Sequence, residues 1–95
     1  MPLSKMQKKT LSGRAHHLKP VLMIGNKGIT DNVLAELELT LKTHELIKIK
    51  LPGGNHDQKA EIVKTLCDKS HAEHIQTIGH VATLYRENPQ DESAD

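Results

Sequence analysis

The chain has no tryptophan and no phenylalanine, and Tyr85 is the only member of the Phe, Trp and Tyr group. A recognition surface that reads single-stranded nucleic acid by stacking bases on a row of aromatic side chains is therefore excluded. One cysteine, Cys67, cannot close an internal disulfide, in keeping with a reducing compartment. It falls on the apolar side of a predicted helix with no helix start or cation evidently beside it, so it reads as core and not as a nucleophile. No apolar run approaches the ~20 residues needed to cross a bilayer, and Lys, Gln and Thr occupy the N-terminus where a secretion signal has its apolar stretch. These absences predict a cytoplasmic chain with no membrane partner. The last absence is of one charge sign: no aspartate or glutamate precedes Asp31.

That last feature divides the chain. Residues 1–30 carry Lys5, Lys8, Lys9, Arg14, Lys19 and Lys27 against no acid, a charge of +6, whereas the remainder carries seven bases and all 12 acids, a charge of −5. The net +1 conceals this split. A basic part set against an acidic part points to a polyanionic partner, although a short lysine cluster by itself is usually a solvated helix face. Ile, Leu and Val number 23 of 95 residues, enough for one aliphatic core and too many for a disordered chain at this net charge.

The spacing of apolar residues predicts seven elements in the order α-β-α-β-α-β-β. Ser4 and Gln7 have the capping-box interval, which predicts a helix from Lys5 to about His17, with Met6, Leu11, Ala15 and Leu18 as a loose apolar side and Lys19-Pro20 as its stop. Val21–Ile24 reads as a short buried strand. Thr30 caps a second helix whose stripe is Val33, Leu34, Leu37 and Leu41, with Ile29 and Leu34 placed as a hydrophobic staple and Leu39 off the stripe. Residues 46–51 alternate as a strand and end at Pro52-Gly53-Gly54-Asn55. A third helix from about Asp57 to Ser70 buries Ile62, Val63, Leu66 and Cys67, and strands at 75–78 and 81–85 pair as a hairpin through Gly79-His80. This is an α+β, two-layer α/β sandwich, with one domain over residues 1–86 and a disordered acidic tail over 87–95.

Between the first strand and the second helix stands Gly25-Asn26-Lys27-Gly28. Two glycines let the chain turn and let a ligand approach the backbone, and Lys27 supplies a flexible cationic tip. A GxxG loop clamps the sugar-phosphate backbone in some RNA-binding modules, but glycine pairs in strand-to-helix turns more often serve geometry alone. Other chemistries fit worse. Seven histidines, with His71, His74 and His80 near one another in sequence, come without a C-x-x-C pair or an H-E-x-x-H motif, so no metal and no cofactor are expected. GNKG lacks the length of a nucleotide-binding P-loop, and Glu36 and Glu38 lie on the polar side of a helix where solvation is ordinary. No enzyme is expected. A phosphate-handling hydrolase and a factor docking an acidic protein are the alternatives to an RNA-binding protein.

The stretch AHHLKPVLMIGNKGITDNVLAELELTL, followed by HELIKIKL and later IGHVATLYR, closely resembles the bacterial YhbY-type proteins, single-domain members of the CRM family named for chloroplast RNA splicing and ribosome maturation. The resemblance runs from about Leu3 to Arg86. It implies a fold similar to the C-terminal domain of translation initiation factor three, with a mixed four-stranded sheet. It further implies binding to structured RNA through Gly25, Asn26, Lys27 and Gly28 with Lys5, Lys8, Lys9, Arg14 and Lys19 around them. The implied target is the ribosomal RNA of large-subunit precursors during ribosome assembly. Separately from the resemblance, the chain is expected to be a monomer. Relatives often end in a basic extension, so no RNA contact is assigned to the acidic tail.

Overall fold

A computed structural model describes residues 3–87. Its elements are α1 (Lys5–Ala15), β1 (Pro20–Met23), α2 (Asp31–Thr43), β2 (Leu46–Lys50), α3 (His56–Ser70), β3 (Glu73–Ile78) and β4 (Val81–Tyr85), the expected order. The expected tail, beyond Glu87, lies outside the described residues.

Local chemistry accounts for most boundaries. Ser4 Oγ accepts from the Gln7 amide at 3.1 Å while Gln7 Oε1 accepts from the Ser4 amide at 2.8 Å, completing the capping box of α1. Thr30 Oγ1 accepts from the Val33 amide at 3.2 Å and starts α2. A second capping box, Asn55 with Gln58, starts α3 at His56, one residue before the position that the apolar pattern suggests. The β3–β4 hairpin turns on Gly79 with φ of +60°, a conformation that favours glycine at the first central position of a two-residue turn.

The sheet order is β1-β2-β4-β3. β1 and β2 run parallel with α2 as their crossover, and β4 pairs antiparallel with both β2 and β3, which makes the sheet mixed. One face carries Leu22, Ile47, Ile49, Ala82 and Leu84, which α2 and α3 cover with Leu37, Leu41, Val63 and Leu66. Ile29, Val33, Leu34, Ile62 and Cys67 close the rim of this cluster. Each fully buried Leu or Ile contributes about 1.5–3 kcal/mol of transfer free energy, so an aliphatic core suffices without aromatic rings.

α1 sits on the other face and adds a partial third layer to the expected two layers formed by the sheet with α2 and α3. Its buried Leu11 and Ala15 lie outside that cluster, and Ser12 Oγ donates to Gln76 Oε1 at 2.8 Å. Gln76 is in register with Thr83, and Thr83 with Lys48, a row that alternation places opposite Ile47 and Ile49. Helix cover on this face is partial, and two expectations change as a result. β1 is a half-exposed edge strand and not a buried one, with Val21 and Met23 open to solvent and only Leu22 buried. Met6 and Leu18 do not join the apolar side of α1: its buried side chains are Leu11 and Ala15, while Met6 is 78% and Leu18 38% exposed.

Arg86 locks the end of the fold. Its guanidinium donates to both carboxylate oxygens of Glu38 at 2.9 and 3.0 Å and to the Ser70 carbonyl at 3.0 Å, joining α2 to the end of α3. Glu38 is thus not an ordinary solvated carboxylate. The hydrogen bonds from Arg86 hold its pKa below the usual value.

Candidate nucleic-acid interface

Main-chain pairing of β1 with β2 extends past the strand, since the Ile24 amide donates to the Lys50 carbonyl at 2.8 Å. The loop begins at the next residue. Gly25 carbonyl accepts from the Gly28 amide at 2.9 Å, closing a tight turn, and Gly28 has φ of +77°, which explains a glycine there on conformational grounds alone. Gly25 has no such requirement. A Cβ at either glycine would meet nothing within 4 Å, so both present bare backbone to open space. Asn26 and Lys27 are exposed at the tip. Asp31 in the first turn of α2 offsets the attraction of that helix start for an anion.

The two flanks of the loop differ in charge. Toward α3, a hollow of about 530 Å³ is lined by Asn26, Gly28, Pro52, Gly53, Asp57 and Glu61 among others, so that wall is acidic. Toward the second sheet face stand Lys50 and, two residues back along β2, Lys48. The same face carries α1 with Lys5, Lys8, Lys9 and Arg14. None of these six cations has an ion-pair partner among the described residues.

The structure does not gather the predicted cations into one cluster. At 3.6 residues per turn, Lys5, Lys8 and Lys9 project on one side of the buried Leu11–Ala15 stripe and Arg14 on the other. Lys8 lies toward β3, near enough to act on His74, whose pKa is lowered mainly by burial. Arg14 lines a hollow with Leu18, His44, Glu45 and Leu46 at the start of β2. Lys19 borders Pro20, Val21 and His44. From Leu46 to Lys50 is roughly 13 Å of strand, so Arg14 and the loop stand at opposite ends of the sheet. Lys48 and Lys50 occupy the interval. The alternation Ile47-Lys48-Ile49-Lys50 shows in sequence that the lysines share a face; which face that is depends on where α1 lands.

The remaining candidates are dispersed. His71 ends α3 with φ of +60°, His74 bonds the Thr77 hydroxyl at 2.7 Å, and His80 sits in the hairpin beside Lys59. No group of three His, Cys, Asp or Glu converges on a metal position among the described residues. Cys67 borders a hollow of about 690 Å³ between α3 and β3, where burial pushes its thiol up to about 11. A thiol that protonated is a poor nucleophile. Tyr85 is half-buried beside Leu3, Met6 and Leu11, packed under α1 and not displayed for stacking. No described helix is long and apolar enough to cross a membrane.

Residues 3–86 match the model of the CRS1 / YhbY (CRM) domain. The chain belongs to this CRM family. Among relatives of this CRM domain, an RNA-binding protein of Haemophilus influenzae is 48% identical over 84 residues, covering 88% of this chain and 85% of its own. A Pseudomonas aeruginosa protein named "Probable RNA-binding protein" is 44% identical over 90 residues, covering 95% and 86% respectively. The solution structure of a Staphylococcus aureus protein, proposed to bind RNA, superposes on the CRM domain with a TM-score of 0.83 at 34% identity, covering 96% of this chain and 95% of that one. The α+β architecture with a mixed four-stranded sheet is therefore that of a solved relative.

Proposed function

We infer that this protein binds structured RNA through its sugar-phosphate backbone, without catalysis, and that its target is the ribosomal RNA of large-subunit precursors. The observation that carries the reading is the segregation of charge around the loop. The turn Gly25–Gly28 offers bare backbone and a Lys27 without an ion-pair partner among the described residues, at the border of a face bearing Lys5, Lys8, Lys9, Arg14, Lys48 and Lys50, while its other border bears Asp57 and Glu61. A phosphate on the turn is drawn by Lys27 and turned away from α3. Lys19 and Arg14 extend the positive surface to the far end of the sheet. With no Trp or Phe in the chain and Tyr85 half-buried beside α1, phosphate and shape are the basis of recognition. RNA binding is also the property named in relatives that align over nearly the full chain. The large-subunit target rests on membership of the family.

Sedimentation of a bacterial lysate tests the target. The protein is expected in the fractions of large-subunit precursors and depleted from translating ribosomes. Recovery only among free proteins at low salt overturns the ribosomal assignment, whereas binding of purified protein to structured RNA that does not weaken with salt overturns the phosphate mechanism.

A further inference from the structure

The part of the second sheet face that α1 leaves open adjoins the GNKG loop. One row crosses all four strands there: Met23 is in register with Lys50, Lys50 with Val81, and Val81 with Ile78. At about 4.8 Å between strands the row is roughly 14 Å long. The neighbouring row, Lys48, Thr83 and Gln76, is where the cover of α1 begins, because Ser12 bonds Gln76 and Thr83 is only 1% exposed. Beyond it the cover stops. Met23 is 63% exposed and Ile78 is 68% exposed, with exposed Lys50 between them.

A single exposed hydrophobe is ordinary. A row that alternates apolar side chains with a lysine, directly continuous with the loop, is a surface of defined chemistry. Neither this row nor the Lys48 row holds a carboxylate; the strand acid on this face, Glu73, pairs with Tyr85 at the opposite end. An anionic chain leaving the loop therefore meets acids if it turns toward α3 and lysines if it turns toward the sheet. A second copy of the same face would set Lys48 and Lys50 against their own equivalents, which disfavours self-association here.

Resting on the reading that the loop takes phosphate, we propose that an unpaired RNA segment leaves the loop and runs across this row. Lys50 neutralises a phosphate on this path with Lys48 flanking it on the side of α1, and Met23, Val81 and Ile78 pack against the apolar faces of riboses and bases. The segment is single-stranded because a paired helix hides its base faces, and these aliphatic side chains supply no hydrogen-bonding code, so the contact tolerates any sequence. The preferred ligand is then an RNA helix with an adjoining unpaired stretch.

The test uses the full chain and two probes, an RNA hairpin with a short single-stranded extension and the same hairpin trimmed blunt. Wild type is expected to prefer the extended hairpin. The double variant Met23→Ser/Ile78→Ser is expected to lose roughly fivefold or more in affinity for the extended hairpin, with blunt-hairpin affinity and the salt slope unchanged. Lys50→Ala is expected to reduce the salt slope on the extended hairpin by about 0.7, the value for one single-strand phosphate. Should the double variant melt early, Lys50→Ala decides alone, since an exposed lysine supports no core packing. If both variants bind the extended hairpin as wild type does while Lys27→Glu weakens binding, the row is not an RNA surface and the loop reading stands. If wild type binds neither hairpin at low salt, the loop reading falls and takes this one with it. If the double variant abolishes a concentration-dependent dimer and leaves RNA affinity intact, the row joins two copies and the proposal is overturned.

Discussion

Lys27→Glu reverses the charge at the tip of the loop without touching the core. Lys27 is exposed and has no ion-pair partner among the described residues, so folding gains nothing measurable from its charge, and the melting temperature is expected to stay within about 2 °C of wild type. Binding behaves differently. Two unit charges 4 Å apart in a water-like medium interact by about 1 kcal/mol, and the substitution removes one attraction and adds one repulsion of that size. The sum of about 2 kcal/mol corresponds to a loss of roughly thirtyfold in affinity at low salt. Screening at 0.15 M, where the Debye length is ~8 Å, reduces the loss. Losing one phosphate contact also lowers the slope of log affinity against log salt by roughly 0.7–0.9. Fluorescence anisotropy with labelled large-subunit RNA across a salt series, beside a thermal melt of each protein, measures all three quantities. A variant that melts like wild type and keeps both its affinity and its slope would show that GNKG is only a strand-to-helix turn, and the RNA face must then be sought on α1.

The two glycines separate folding from contact: Gly28→Ala forces a side chain into φ of +77° and is expected to cost about 1–2 kcal/mol in chemical denaturation, whereas Gly25→Ala meets neither strain nor crowding and should fold as wild type while binding RNA more weakly. Unchanged RNA affinity in Gly25→Ala would rule out close backbone approach at that residue. Arg86→Ala removes the two-point bond to Glu38 and the bond to the Ser70 carbonyl; after allowance for the 44% exposure of the Glu38 side chain, the cost is about 2 kcal/mol, or roughly 10 °C in melting temperature. Because the folded-state pKa of Glu38 is lowered, that stabilisation is fully present above its ordinary value of 4.5 and is lost as pH falls through the lowered one. The melting gap between wild type and Arg86→Ala should therefore narrow in acid, leaving the share that belongs to the Ser70 carbonyl bond, and a gap independent of pH would refute the ion pair as a source. Deleting residues 87–95 removes Glu87, Asp91, Glu92 and Asp95 and is expected to leave melting nearly unchanged with RNA affinity equal or slightly higher; a loss of affinity would reveal a contact made by the tail.

Caps, turns and the apolar stripes of α2 and α3 were legible in the sequence because each is a relation among residues a few positions apart. Ser4 with Gln7, Thr30 with Val33, and Leu37 with Leu41 need no distant partner to be recognised. The GNKG loop and the acid-free first thirty residues were equally plain, since composition and order alone define them. What the chain order does not contain is the choice between the two faces of the sheet. Periodicity says that Lys48 and Lys50 share a side and that Leu11 and Ala15 share a side. Only the packing of α1 over Gln76 and Thr83 puts those lysines on the face with the helical cations, leaves Met23 and Ile78 open beyond its edge, and separates Arg14 from the loop by the length of β2. Arg86 and Glu38 meet across 48 positions for the same reason. Such juxtapositions follow from how the whole aliphatic core closes, a sum over contacts distant in sequence, so local pattern decided the elements and tertiary packing decided the surface that they form.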